Sequence, residues 1–508
     1  MVGLPGITHR TPVTHPDLVV TRTQAPRKER MSYCVGGIAP QVNLRVNNPD
    51  IDTLETALCT RMYMCEVGGQ YVEPPLPSEA TVAAKLKNFK SRLQAFHSTP
   101  ETLDEVVERY TGRKKVIYAD ACLSLLHRPL ERKDAVSVSF VKPEKTNPTK
   151  APRCIQPRDP RYNLELGAYL KHIEHRIYGR IAKIFGDGPT VMKGMNVQQI
   201  GSVMAGKWNS FTKPCAVGLD ATKFDMHVSP AVLGWEHSIY MHIFRNCPKL
   251  RRLLDWQMNN VGSGFCKDGR LRYKVRGKRF SGDMNTAMGN CIIMCGLVYE
   301  YARERGIHVK LANNGDDCVV FMEQCNLRAF MLGLETWFLE LGFRMVAEEP
   351  VYDLQKVEFC QMHPIRVNGK WCMVRNITAA MSKDAICLLP IRSRKELSEW
   401  LGAVGDCGSS LTAGVPIARA YYGLFQKSGT RRTKFGDALF RNSGVQFLRK
   451  GMVSGEDTIT PEARYDVWLA WGLLPDHQVA LEAKLSASSI EFGSEVKESF
   501  DEVPGLLV

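Results

Sequence analysis

Residues 308–323 read HVKLANNGDDCVVFME, two short apolar runs around Asn314-Gly315-Asp316-Asp317. Val309 and Leu311 precede those four residues; Val319, Val320 and Phe321 follow. Asn-Gly between β-formers is the strongest short-range hairpin signal, because both central residues of the favoured turn take φ > 0. The spacing predicts a β-hairpin with Asn314-Gly315 at its tip. Two adjacent carboxylates end the turn, and neighbouring like charges are costly without a counter-charge. A hard divalent cation, which takes oxygen ligands, would supply one. Taken alone, these four residues read more simply as a solvated turn, so the rest of the chain has to decide.

The chain has 508 residues, enough for two or three domains or one large multi-lobed enzyme. A hydrophobic fraction of 44% supports a sizeable core. The formal charge of +14 favours a polyanionic partner, nucleic acid before a membrane surface. Sixteen scattered cysteines with no C-x-x-C pair argue against structural zinc and for a reducing compartment. The first residues, MVGLPGITHR, have no apolar core of a signal peptide. The stretch from Met284 to Tyr299 holds two Asn and two Gly and is too short to span a bilayer.

Residues 1–45 are rich in Pro, Thr and Arg and read as a linker or arm. Ile51, Leu54, Leu58 and Met62 have helical spacing, and Ser78 and Thr102 stand where helices start. Between 136 and 161 the chain loads Lys142, Lys145, Lys150, Arg153, Arg158 and Arg161 among prolines. That is either a solvated basic loop or a cationic strand–loop that holds triphosphate or nucleic-acid backbone. A short apolar strand then runs into Asp220, with Asp225 five residues later. Asp is a poor strand former, so Asp220 either binds metal or caps a helix.

From 270 to 278, Arg270, Arg272, Lys274, Arg276 and Lys278 alternate with Leu271, Tyr273, Val275 and Gly277. Period two with one cationic face predicts a two-stranded ribbon against a polyanion, or an edge strand protected by charge. Ser281-Gly282 then opens a loop into an apolar helix on which Thr286 and Asn290 share a face. An ordinary capped helix accounts for that stretch too.

The order and spacing of these pieces are more specific than any one of them: Asp220-x4-Asp225, then Ser281-Gly282-x3-Thr286-x3-Asn290, then Gly315-Asp316-Asp317. Together they resemble motifs A, B and C in the palm of viral RNA-dependent RNA polymerases. Lys142-x-Glu144-Lys145 with Arg153-x-Ile155-x-Pro157-Arg158 resembles the basic motif F, and Phe359-Cys360-Gln361 resembles motif E. The wording around Asp220, of Pro189 to Gly194 and of Pro461 to Leu481 is most similar to the tombusvirus-like (carmovirus-like) polymerases. The match covers roughly residues 50–480. Reverse transcriptases, the rival enzyme class, usually carry a Tyr-x-Asp-Asp turn instead. A basic RNA-binding or coat-associated protein is the non-enzyme rival.

The resemblance implies an α+β right-hand fold: fingers at 46–215 with an insertion at 246–280, an antiparallel-sheet palm at 216–375, and a helical thumb and tail at 376–508. It implies that Asp220, Asp316 and Asp317 bind two Mg²⁺ ions, with Mn²⁺ as a substitute. Asp225, Ser281, Thr286 and Asn290 would meet the ribose; Lys142, Arg153 and Arg158 would meet the triphosphate. Arg272, Lys274, Arg276 and Lys193 would contact RNA. The expected partners are template and product RNA, NTPs and a viral accessory replication protein. Membrane association would be indirect or through an upstream segment, in replication complexes of the host cytoplasm. The motif D lysine has no clear counterpart; Arg344 and Lys356 lie near its place, and neither is named as a proton donor.

Overall fold

The computed structural model describes residues 2–40, 43–186, 188–389, 391–430, 448–452 and 457–490. At its centre lies a four-stranded antiparallel sheet in the spatial order Lys310–Asn314, Asp317–Glu323, Pro214–Ala221, Met345–Ala347. Strand Asp317–Glu323 is covered on both faces. Cys318, Val320 and Met322 enter one core, and Val319 and Phe321 enter another. The first core holds the helix Thr286–Glu304, buried from Met288 to Ala302 with few breaks, as expected for a helix that is apolar all round. The second holds the helix Val197–Asn209, through Val197, Ile200 and Met204. Sandwiching by helices explains why the strand reads CVVFM rather than alternating with polar residues.

A five-stranded sheet lies beside this centre, in the order Leu18–Arg22, Gly269–Arg276, Asn259–Cys266, Ser137–Val141, Cys154–Ile155. Its inner face packs on the helix Ile51–Leu58, where Leu54 and Leu58 meet Leu271 and Tyr273. That helix starts on Asp50, whose carboxylate accepts from Thr53 N, and widens into a π-turn over Cys59–Tyr63. Ser78 and Thr102 are N-caps as expected, the latter in a capping box with Glu105. After Asn376 the described elements are mostly helices: Ile377–Asp384, Arg394–Ser409, Ala418–Ser428, Pro461–Trp471 and Pro475–Ala487.

The first 45 residues are not a free arm. Val2–Pro5 pairs with Met31–Cys34, whose Cys34 pairs with Ile386 in the C-terminal region. Leu18–Arg22 completes the five-stranded sheet, and Arg45–Val46 pairs with Lys145–Thr146. These strands have two to five residues, and their partners lie far along the chain, so no local periodicity reveals them. The helix expected across 164–184 is two helices, Pro160–Leu170 and Glu174–Phe185. The acidic C-terminal end falls outside the described residues from 491 on. No helix among the described residues is long and apolar enough to cross a membrane, and all sixteen cysteines are free thiols.

Candidate active site

Leu219 faces Cys318 across the antiparallel pair, so Asp220 comes alongside Asp317 where the two strands end. The hairpin itself is one residue out from its expected register. Asn314 pairs with Asp317, which leaves Gly315 and Asp316 as the two tip residues. Only Gly315 has positive φ there, at 87°. Glycine at the first central position with φ > 0 is the requirement of a II′ turn, whereas I′ would need both. The turn puts Asp316 at its tip, next to Asp317.

Three contacts from outside the hairpin hold it. Asn313 is buried and folds over the tip, its Nδ2 donating to Gly315 O at 2.7 Å. Lys193 Nζ donates to Asn314 Oδ1 at 2.7 Å. Cys360 N donates to Asp317 Oδ2 at 2.9 Å. Cys360 and Gln361 have φ of 52° and 59°, and hydrogen bonds of 2.9 and 3.0 Å between Phe359 and Met362 close the turn around them. Two successive positive φ values, expected at Asn314-Gly315, occur here instead. The hairpin proper, Met362–Val367 with Lys370–Arg375, follows that turn.

Burial raises the pKa of Asp316, and the charge of Asp220 raises it further against the opposing Lys193 and Arg153. Burial pushes Asp317 up to about 6, with the Cys360 N–H opposing and Asp316 and Asp220 adding to the rise. Asp220 thus adds to the rise at both Asp316 and Asp317, the mark of a cluster short of positive charge, and oxygen-only donors suit a hard divalent ion. The donor set therefore fits such a cation. Among the described residues no three such side chains are already drawn together tightly enough to grip one, and Asp317 is turned toward Cys360.

Asp225 and Asn290 meet directly. Asn290 Nδ2 donates to Asp225 Oδ1 at 3.0 Å, and Asn290 Oδ1 accepts from Arg279 Nε at 3.0 Å. Burial pushes Asp225 up to about 6, with Asn290 opposing and Asp316 adding to the rise. Arg279 is fully buried and ion-paired with Glu236, which also accepts from Asn285 Nδ2 at 2.9 Å. Arg279 and Glu236 were not legible as site residues: the arginine hides in the basic run KVRGKRF. Ser281 is exposed; its Oγ accepts from Gln156 N at 3.2 Å and keeps its own proton free to donate. Gly282 pairs with Pro157, and a Cβ on it would stand 2.4 Å from Gln156 O, so only glycine fits. Thr286 donates to Phe280 O at 2.6 Å and braces the loop rather than facing outward.

The cations divide. Lys142 and Arg153 share Glu144, at 3.2 Å for the lysine and 2.6 Å for Arg153 Nε. Arg153 is also close enough to influence Asp316. Arg158, expected at the triphosphate, is buried elsewhere. It is ion-paired with Asp283 and donates to Ala135 O at 2.7 Å and Asn260 Oδ1 at 2.6 Å. With each of its three nitrogens engaged, it ties the Gly282 loop to the five-stranded sheet. Lys193, expected on RNA, instead touches the carboxylate turn. Lys356 pairs with Asp353 at 2.8 Å, and Arg344 hands its carbonyl to Thr222 N at 3.0 Å.

Arg270, Arg272, Lys274 and Arg276 are exposed, while Leu271 and Tyr273 are buried beneath them. Their strand has neighbours on both sides, so it is not a charge-protected edge, and the ribbon is part of the larger sheet.

Carboxylates thus meet at two adjoining strand ends, with a buried helix packed on the same sheet. The sequence profile described as viral RNA dependent RNA polymerase matches residues 18–493, and the chain belongs to that family. It is 39% identical over 498 residues to the RNA-directed RNA polymerase of Tobacco necrosis virus (strain A), covering 97% of this chain and 68% of that protein. With the Turnip crinkle virus enzyme it shares 40% over 471 residues, or 90% and 60% of the two chains. With that of Melon necrotic spot virus it shares 38% over 490 residues, or 94% and 62%. The resemblance to tombusvirus-like polymerases read from the motifs holds, and the chain spans less than two thirds of the length of the last two relatives.

Proposed function

We propose that this chain copies an RNA template into RNA by transferring nucleotides from NTPs to a 3′-hydroxyl, replicating the genome of a positive-strand RNA virus. The observation that carries this reading is the meeting of Asp220, Asp316 and Asp317 at adjoining strand ends, with the Asp225–Asn290 pair beside them. The central sheet serves as palm, the five-stranded sheet and the helices before Cys215 as fingers, and the helices after Asn376 as thumb. Asp220 and Asp316 would hold two Mg²⁺ ions, with Asp317 in support. Bound there, the ions would lower the pKa of the attacking hydroxyl and neutralise the leaving pyrophosphate.

Asp225 and Asn290 orient the ribose. A 2′-hydroxyl can donate to the carboxylate and accept from the amide, and these two groups now satisfy each other. Ser281 has a free O–H for the same sugar. Lys142 and Arg153 turn from Glu144 to the triphosphate, where positive charge stabilises the transition state. Arg272, Lys274 and Arg276 bind template backbone. Lys193 steadies the carboxylate turn through Asn314. We further infer, from the shared family, a viral accessory replication protein as partner and host cytoplasmic membranes as the place of work.

The test is Asp316→Asn with NTPs or dNTPs on an RNA template. The turn keeps its shape and loses one metal-binding charge, so nucleotide incorporation should vanish while folding and RNA affinity persist. Substantial Mg²⁺-dependent synthesis by this variant would remove Asp316 from the site, and preferential use of dNTPs by the unaltered chain would point to a reverse transcriptase.

A further inference from the structure

One cationic group near the site has no place in the roles above. Arg61 lies in the π-turn Cys59–Tyr63, and helical segments of that wide form are frequent at functional sites. The turn packs against the short helix Phe224–His227, which carries Asp225. From there the half-buried Arg61 reaches the basic loop, donating through Nη2 to Ala151 O at 3.2 Å. Its Nε is buried and has no hydrogen-bond partner. Lys223 stands beside it, between Asp220 and Asp225. Its backbone is in the left-handed region, φ 49° and ψ 53°, which a residue with a long side chain rarely adopts. Among the described residues Lys223 makes no ion pair.

Burial and the neighbouring Arg153 hold the Arg61 pKa below its ordinary value, and burial and Arg61 do the same to Lys223. Four cations thus converge, Arg61, Lys142, Arg153 and Lys223, and Glu144 is the carboxylate that pairs with two of them. Glu144 and Asp225 face Arg61, but the cations outnumber them, and folding alone gives no return for gathering excess like charge around an unpaired buried donor. A ligand carrying several negative charges does.

We propose that Arg61, with Lys223 beside it, binds the triphosphate of the incoming nucleotide together with Lys142 and Arg153. The assignment rests on the nucleotidyl-transfer reading of the site, and it adds to the substrate's binding set Arg61, outside the polymerase motifs, and Lys223, within the Asp220-x4-Asp225 spacing. Because they meet phosphate, they act on all four nucleotides alike, with no part in base or sugar choice.

The experiment compares Arg61→Gln, Arg61→Lys and Lys223→Met with the unaltered chain. It measures KM and kcat for each NTP in single-nucleotide incorporation, direct calorimetric binding of inorganic tripolyphosphate, and RNA affinity without nucleotide. A lost charge-assisted contact predicts that Arg61→Gln raises KM about tenfold or more for all four NTPs. Tripolyphosphate binding should weaken by a similar factor, and RNA affinity should stay within about twofold. Arg61→Lys should recover part of the loss, which a merely structural role would not allow. Lys223→Met should change KM and tripolyphosphate binding in the same direction, by less. Unchanged KM and tripolyphosphate binding in Arg61→Gln would overturn the proposal, and so would a loss confined to RNA affinity. Calorimetry keeps the two readings apart: failure of nucleotidyl transfer would leave the unaltered chain unable to incorporate any nucleotide, whereas failure of this site alone leaves incorporation intact and tripolyphosphate binding indifferent to Arg61.

Discussion

Asp225→Ala should narrow the preference for ribonucleotides over deoxyribonucleotides without abolishing synthesis. The carboxylate accepts from Asn290 Nδ2 at 3.0 Å, and that amide is fixed on its other side by Arg279. A 2′-hydroxyl entering this pair donates to a carboxylate, a charge-assisted bond worth about 1.5–3 kcal/mol. Losing it corresponds to about 10- to 150-fold in kcat/KM for an NTP. A dNTP never makes the contact, so its kcat/KM should change little, and the ratio between the two substrates should fall by the same factor. The ratio of GTP to dGTP in single-nucleotide incorporation reads this directly, because effects on folding or on metal binding cancel in it. The ratio should also depend on pH in the unaltered chain. Asp225 titrates at about 6 and must be ionised to accept the bond. Discrimination should therefore be complete above about pH 7 and shrink as pH falls through 6. Equal loss of GTP and dGTP incorporation in Asp225→Ala would refute the reasoning and assign Asp225 to metal binding or to structure.

Asp225→Asn should stabilise the metal-free protein at neutral pH. The folded-state pKa lies above the unfolded value near 3.9, so the folded chain binds the extra proton and native stability rises as pH drops through 6. The melting-temperature gain in EDTA should thus be largest at pH 7.5 and fade toward pH 4, and a gain independent of pH would contradict the sign. Replacing Arg272, Lys274 and Arg276 together should lower affinity for single-stranded RNA and flatten the log–log salt slope by about 2, three phosphate contacts at about 0.7 each; an unchanged slope would leave that face merely solvated. Arg158→Met strands Asp283 as a buried unpaired charge, a loss of about 3–5 kcal/mol. It should lower the melting temperature by several degrees while leaving KM for NTPs unaltered in the folded fraction, and a raised KM with normal stability would return Arg158 to the triphosphate.

The amino-acid order alone determined the family of the molecule and singled out the carboxylates that the fold gathers. Asp220, Asp225, Asn290 and Asp316-Asp317 are set by spacing within single elements: a strand end, one helix face, a two-residue turn. Such short-range rules are carried by backbone sterics and by the 3.6- and 2-residue periods, so they can be read without partners. The tertiary structure decided what those groups touch. Lys193 reaches Asn314 across 121 residues of sequence, Cys360 N reaches Asp317 across 43, and Arg158 reaches Asp283 across 125. No local pattern distinguishes an arginine that will be consumed by a buried aspartate from one left free for phosphate; only the packing that desolvates it does. The same holds for the first 45 residues, whose two- to five-residue strands exist because sheets elsewhere offer them an unpaired edge. The turn shows both halves in four residues. Asn-Gly guarantees a tight reversal, but which pair occupies its tip was settled by strand register, when Asn313 folded over Gly315 and Asn314 was drawn back into the ladder opposite Asp317.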